Sequence, residues 1–206
     1  MIAIFDFDKT IVQVDSFRLF ARMAAGSMPR RLWFFWLAVL CKLGLVSNTS
    51  YKEAILVARW FSQTTTARSA LLESFFDQLR AEVHPTVVSR LQDHARAGDT
   101  IHVLSASPDF YLEPFVRSLC PEARVIGSQT TSGEDGVRLV NLQGDEKARV
   151  ARDLIAEGAN RPVIVYTDHP IDLPLLRLAD RAVLIRPSRR LLNTVKRLGI
   201  AHEVIS

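Results

Sequence analysis

Four short apolar runs constrain what this chain can fold into: residues 2–5 (IAIF), 101–104 (IHVL), 163–166 (VIVY) and 182–185 (AVLI). Brief, nearly continuous and rich in β-branched residues, they have the pattern of strands buried on both faces of a parallel sheet. Helical patterns stand between or beside them, at 85–98, 108–119, 145–158, 170–180 and 186–197. That alternation predicts a doubly wound α/β fold. A further strand is expected at 124–126, and the Gly and Asp content of 131–140 predicts a hairpin or turn near the sheet edge.

One segment breaks the rhythm. From about residue 16 to 80 no strand-like run occurs, and apolar positions recur at helical spacing. Four helices are expected there, at 16–25, 30–46, 51–61 and 67–80, separated by Gly26, Pro29, Ser47-Asn48-Thr49 and Thr64-Thr65-Thr66. Residues 15–81 therefore read as an all-helical subdomain inserted into an α/β core made of 1–14 and 82–206. A chain of 206 residues can bury a core of that kind.

The polar residues that end the runs suggest a common site. Asp6-Phe7-Asp8-Lys9-Thr10 follows the first, Ser105-Ala106-Ser107 the second, and Thr167-Asp168 the third, with Asp172 four residues on. In an open α/β sheet, ligands bind beyond the carboxyl ends of the strands. At any single strand a capping or loop residue would be the simpler reading; three strands ending alike favour a site. Carboxylates about 4 Å apart repel by roughly 4 kcal/mol at an effective dielectric near 20. Asp6, Asp8, Asp168 and Asp172 together therefore call for a cation, and an oxygen-only donor set points to Mg²⁺. Lys147 shares the apolar face of its helix with Ala151 and Leu154, which places a second positive charge toward the acids.

These motifs, taken in order, resemble the haloacid dehalogenase superfamily: "DFDKT" after a first strand, "HVLSAS" at a second, a helical lysine in "GDEK", and "TDHPIDLPLL" late in the chain. The likeness is nearest to its phosphoserine-phosphatase-like branch, where a helical cap is inserted at the same place. The resemblance implies a Rossmann-like core and a Mg²⁺-dependent phosphomonoester hydrolase. Asp6 would be the nucleophile and Asp8 the general acid/base, with Ser105 and Lys147 completing the catalytic set. Thr10, Asp15, Ser105, Ala106 and Lys147 would contact substrate. Asp6, Asp8, Asp168 and Asp172 would serve the metal, Asp8 through its backbone carbonyl and Asp172 through a bound water. Two departures stand out. The fourth motif begins Thr167-Asp168-His169 where Gly-Asp and a small residue are usual, so His169 either reaches substrate or metal surroundings or is an exposed loop residue. Asp15 stands where phosphoserine phosphatases carry a glutamate for the substrate amine. A receiver-like module that stores phosphate on Asp6 is the competing class, but it needs neither Asp8 nor an inserted cap.

Residues 30–46 are the most hydrophobic helical stretch. The first reading is a cap helix buried against its neighbours. A second is an interfacial surface, with Trp33 and Trp36 at headgroup depth and Arg30-Arg31 toward anionic lipid; a third is a pocket wall for a hydrophobic tail. The stretch also resembles, loosely, the cap of bacterial phosphatidylglycerophosphate phosphatases. Its uninterrupted apolar run, 32–41, is far short of the ~20 residues a spanning helix needs. Lys52 and Arg59 read as solvated-face residues, with contact to a substrate carboxylate or second phosphate as the alternative. The formal charge of +4 selects no partner by itself; the motifs select a small or lipid phosphate monoester and no nucleic acid. Cys41 and Cys120, far apart, read as reduced thiols. With no basic region before the first apolar run, the expected location is cytoplasmic, or peripheral at the inner face of the membrane. His84, His94, His102 and His202 receive no chemical role.

Overall fold

The computed structural model describes residues 1–26, 28–133, 136–158 and 161–206. All four expected strands form: β1 (Ile2–Phe5), β2 (Thr100–Pro108), β5 (Val163–Thr167) and β6 (Arg181–Ile185). With β3 (Arg124–Gly133), β4 (Gly136–Val140) and β7 (Ala201–Ile205) they make a seven-stranded sheet in the order β4-β3-β2-β1-β5-β6-β7. Every pairing is parallel except β3 with β4. The expected hairpin is this antiparallel pair; its tip, residues 134 and 135, lies outside the described residues.

Strand alternation separates the core into two faces. Ile2 and Ile4 pack with Leu104, Val165 and Leu184 on one side; Ala3 and Phe5 pack with Val103, Tyr166 and Val183 on the other. On that second side Phe5 stacks on Tyr166 with ring centroids 4.1 Å apart. β1 is central, with β2 on one side and β5 on the other. The chain moves outward through β2 and β3, then returns across β1 to β5, so the topological switch point falls at the ends of β1 and β5.

Between β1 and α5 (Pro85–Arg96) the elements among the described residues are helical: α1 (Ser16–Ala25), α2 (Met28–Lys42), α3 (Asn48–Leu56), a π-helical turn at Val57–Phe61, and α4 (Thr65–Ala81). Side chains of Asp15, Ser47 and Thr64 accept backbone N–H groups at the starts of α1, α3 and α4, which satisfies donors a helix start leaves unpaired. Phe20, Trp60 and Phe75 join the cluster of Phe5 and Phe7, and Trp60 stacks on Phe110 at 4.1 Å. The helical segment thus shares its core with one face of the sheet.

The structure departs from the sequence expectations at four places. The helix expected at 170–180 is a 3-10 turn at Pro170–Asp172 followed by one turn, α8 (Leu173–Leu176); Pro174 has no N–H to bond back to residue 170, so the two do not join into one helix. β7, which follows α9 (Arg189–Arg197), was not foreseen; it is a half-exposed edge strand without the apolar signature. The burial first expected for residues 30–46 holds on one side only: Phe34 is buried and Leu37, Ala38 and Cys41 pack against the core, whereas Leu32, Phe35 and Trp36 are exposed. Lys52, read as solvated, is buried.

Candidate active site

β1 ends at Phe5, and Asp6 keeps the sheet's register by donating its N–H to the Tyr166 carbonyl at 2.9 Å. The chain then turns tightly. Thr10 and Val12 both donate N–H to the Phe7 carbonyl, and Lys9 takes a left-handed φ of 57°. The turn leaves Asp6 and Asp8 facing one cavity of about 380 Å³, which Asp168, Asp172, Ser105, Ala106 and Lys147 also line.

Lys147 reaches this cavity from the first turn of α7 (Asp145–Glu157), whose start is set by Gly144 at φ 59°. Its Nζ lies 2.5 Å from Asp6 Oδ1 and 3.1–3.2 Å from both Asp172 oxygens. Burial works against the ammonium, but the charges of Asp172 and Asp6 outweigh it and hold Lys147 protonated above the ordinary lysine range. Asp172 also accepts Thr167 Oγ1 at 2.7 Å. Burial pushes Asp6 up to about 7, despite the pull of Lys147, with Asp172 and Asp8 adding to the rise. Thr10 donates its hydroxyl to Asp6 Oδ2 at 3.4 Å.

Asp8 is held differently. Its Oδ1 accepts the Ser16 N–H at 2.6 Å and its Oδ2 accepts the Ser107 hydroxyl at 2.6 Å. Ser16 Oγ in turn bonds Ser107 Oγ at 2.8 Å and the Tyr111 hydroxyl at 3.1 Å. This buried hydroxyl chain ties the start of α1 to the end of β2 and to α6 (Asp109–Leu119). Burial raises the Asp8 pKa, as does Asp15, while the bonds from Ser107 and Ser16 oppose the rise. The direction of that shift is the one a general acid needs.

β2 carries Ser105 and Ser107 past its regular pairing, where the register with β3 shifts between Leu104 and Pro108. Gly127 on β3 permits this close approach: a Cβ there would lie 2.7 Å from the Ser107 carbonyl oxygen. Ser105 Oγ accepts the Ser107 N–H at 3.0 Å, which leaves its own proton available to a ligand.

The remaining expected residues divide. Asp168 lines the cavity, half-buried, and burial pushes it up to about 6 against the charges of His169 and Lys9. Asp15 also lines the cavity, but Oδ1 caps α1 and Oδ2 pairs with Arg18 at 3.2 Å. His169 is exposed at the cavity edge, where its Nδ1 accepts the Ile171 N–H, so its local work is to cap the 3-10 turn. Arg59 is half-buried in the π-helical turn and does not line the cavity.

Among the described residues, no three His, Cys, Asp or Glu side chains form a ready metal-ligand group. The donor chemistry still fits a hard cation. The acids that line the cavity offer only oxygen, and burial drives Asp6 toward protonation against Lys147 and Asp168 toward it against His169 and Lys9. Asp172 is turned onto Lys147 and Thr167.

Lys52 departs from the solvated position expected for a lysine on a helix. From α3 it crosses to the core and donates to the Ala106 carbonyl at 2.6 Å and to Asn141 Oδ1 at 3.3 Å. Burial lowers its pKa, against the pull of Asp8 and Asp15. Its hydrogen-bond partners are neutral oxygens, its Nζ lies 5.6 Å from the centre of the Phe17 ring, and it lines the cavity. The neighbouring Glu53 accepts the Leu139 N–H of β4 at 2.8 Å. Ser107 carried a signal, since its two-residue offset from Ser105 puts both on one face of a strand; Ser16 and Tyr111 carried none.

Comparison with known proteins agrees with this arrangement. The family model of haloacid dehalogenase-like hydrolases matches residues 3–177. A histidinol-phosphatase from Neisseria meningitidis serogroup C is 26% identical over 96% of this chain and 96% of its own. Phosphoserine phosphatase SerB1 of Mycobacterium tuberculosis is 29% identical over 96% of this chain and 68% of its own. A solved structure of a protein of unknown function from Bordetella pertussis Tohama I superposes with a TM-score of 0.84 at 20% identity, covering 100% of this chain and 97% of that one. Motif order, sheet topology and family match converge: this chain is a haloacid dehalogenase-like hydrolase.

Proposed function

We propose that the protein hydrolyses phosphate monoesters through an aspartyl-phosphate on Asp6. The observation that carries this reading is the unequal holding of two carboxylates one residue apart. Asp6 is paired with the Lys147 ammonium, whereas Asp8 is oriented by the neutral Ser16 amide and Ser107 hydroxyl, and its burial raises its pKa against those bonds. Asp6 attacks phosphorus as the ester P–O bond breaks, and Asp8 gives its proton to the departing oxygen. Asp8 then takes a proton from the attacking water, the P–O bond to Asp6 breaks, and phosphate leaves. Lys147 balances charge on Asp6 and on the transferring group. Asp172 positions Lys147, and the free proton of Ser105 meets a phosphoryl oxygen. Mg²⁺, held by Asp6, Asp168 and the Asp8 carbonyl with Asp172 in support, would draw charge off the phosphoryl oxygens.

Residues 15–81 act in this reading as a cap, and Lys52 is its contribution to specificity. A buried ammonium between neutral acceptors suits a second anionic group on the substrate, a carboxylate or another phosphate. Asp15, with both oxygens engaged, is less suited to a substrate amine. A lipid phosphate is the second reading, favoured because Ala38, Cys41 and Lys42 of the apolar helix α2 line the same cavity.

Hydrolysis of an aryl phosphate tests the proposal. Turnover is expected with Mg²⁺ and none with EDTA; Asp6→Asn should lose on the order of a thousandfold or more, and Asp8→Asn roughly 10²–10⁴-fold. Lys52→Ala should raise KM most for substrates carrying a second anion. Undiminished turnover by Asp6→Asn would contradict the mechanism.

A further inference from the structure

α2 leaves an apolar face uncovered. Met28, Leu32, Phe35, Trp36 and Leu43, the last just beyond its end, are between 56% and 67% exposed. Their spacing of 4, 7, 8 and 15 residues from Met28 gathers them into an arc of roughly 100° on a helix. Leu45, 71% exposed in the following turn, extends the patch. Single exposed apolar residues are ordinary, but a contiguous aromatic and aliphatic stripe marks an interaction surface.

The charge around the stripe identifies what it meets. Between residues 16 and 51 the sequence carries Arg18, Arg22, Arg30, Arg31 and Lys42 and no acid. Those 5 of the 26 basic residues account for the whole excess, because the remaining 21 face 22 acids elsewhere in the chain. At 100° per residue, Arg31 and Lys42 fall along one border of the stripe, and Trp33 beyond the other. Apolar face, flanking cations and border tryptophan are the components of a helix that lies in a bilayer interface. Two copies of so basic a segment would repel one another, which argues against self-association through this face.

We infer that α2 docks in the plane of a phospholipid surface rich in anionic headgroups, with Met28, Leu32, Phe35, Trp36 and Leu43 in the acyl boundary and Arg31 and Lys42 at the phosphates. Among the described residues no helix is long and apolar enough to cross a membrane, which fits a helix lying on the surface. Lys42 belongs both to the stripe's border and to the cavity lining, so docking brings the cavity mouth to headgroup level. The inference does not depend on the catalytic reading, since binding is measured without turnover.

Flotation with vesicles of phosphatidylcholine, with and without phosphatidylglycerol, tests it. The full chain should float with the phosphatidylglycerol vesicles and bind weakly to phosphatidylcholine alone. Each basic side chain near the surface contributes roughly fivefold in affinity, and added salt should weaken binding. Tryptophan emission should shift to the blue, because Trp33 and Trp36 are exposed whereas Trp60 is already buried. Leu32→Glu combined with Trp36→Glu should lower vesicle affinity roughly tenfold or more, while aryl phosphatase activity stays unchanged as a measure of folding. The inference is overturned if phosphatidylglycerol vesicles fail to bind the protein, or if the double variant binds as tightly. It is equally overturned if sedimentation shows a dimer that the double variant dissociates, which would assign the face to a second copy.

Discussion

At the scale of single residues, the site is a problem of buried charge. Asp6 and Asp8 were legible because an apolar run that ends in two acids has few structural explanations, and Lys147 because its helical neighbours are apolar. Lys52 was not, since a lysine on a helix is ordinarily solvated and only the contact with Ala106 on a distant strand reveals otherwise. The titration of Asp6 has a consequence for stability. Its ordinary value is 3.8 and burial pushes it to about 7 in the folded protein. A carboxyl raised by folding binds more protons in the folded than in the unfolded state across that window, so stability falls as pH rises from about 4 to about 7. Asp168, raised to about 6, acts in the same direction. In EDTA, the melting temperature should therefore drop between about pH 5 and pH 8, and Mg²⁺ should raise it more at the higher pH. Asp6→Asn should flatten the EDTA profile; parallel profiles for the two proteins would remove Asp6 as its source.

Among the elements, those with strong periodicity were readable and those shaped by tertiary contact were not. The four strand runs and α1 form where the sequence put them. β7 escaped because an edge strand alternates weakly, its His202 and Glu203 being half-exposed. α2 misled because its apolar content suggested burial, yet its outer face meets no part of the core. α3 acquires its meaning from docking: Lys52 and Glu53, adjacent in sequence, each cross to the sheet domain's side, one to β2 and Asn141 and the other to β4. Glu53→Ala should cost only about 1 kcal/mol in global stability yet raise KM for substrates that use Lys52, because the helix bearing Lys52 loses its second attachment. Glu53→Gln, which retains an acceptor oxygen, should restore KM. Steady-state kinetics on the two variants would decide the matter, and an unchanged KM in Glu53→Ala would count against a positioning role.

For the whole molecule, topology accounts for why so few residues suffice. β1 lies at the centre of the sheet, the chain reverses direction across it, and the ends of β1, β2 and β5 deliver Asp6, Ser105 and Asp168 to one cavity. The helical segment 15–81 enters the chain at that same edge, so its first residue pair, Asp15 and Ser16, already touches the site. The α/β class and the inserted helices were legible in the rhythm of the sequence; the order of the strands, with β7 at the edge, was not. Nor was the hydroxyl chain from Asp8 to Tyr111, because Ser16 and Tyr111 stand in no motif and meet only where α1 packs against β2 and α6. The central claim is that Asp6 carries phosphate during turnover. Acid quenching during hydrolysis of an aryl phosphate with Mg²⁺, followed by mass spectrometry of the peptides, tests this directly. The expected result is a phosphoryl group on Asp6 that is absent in Asp6→Asn and accumulates in Asp8→Asn when a good leaving group is used. Turnover with no phosphorylated Asp6 at any quench time, together with a phosphoryl group on another residue, would contradict it.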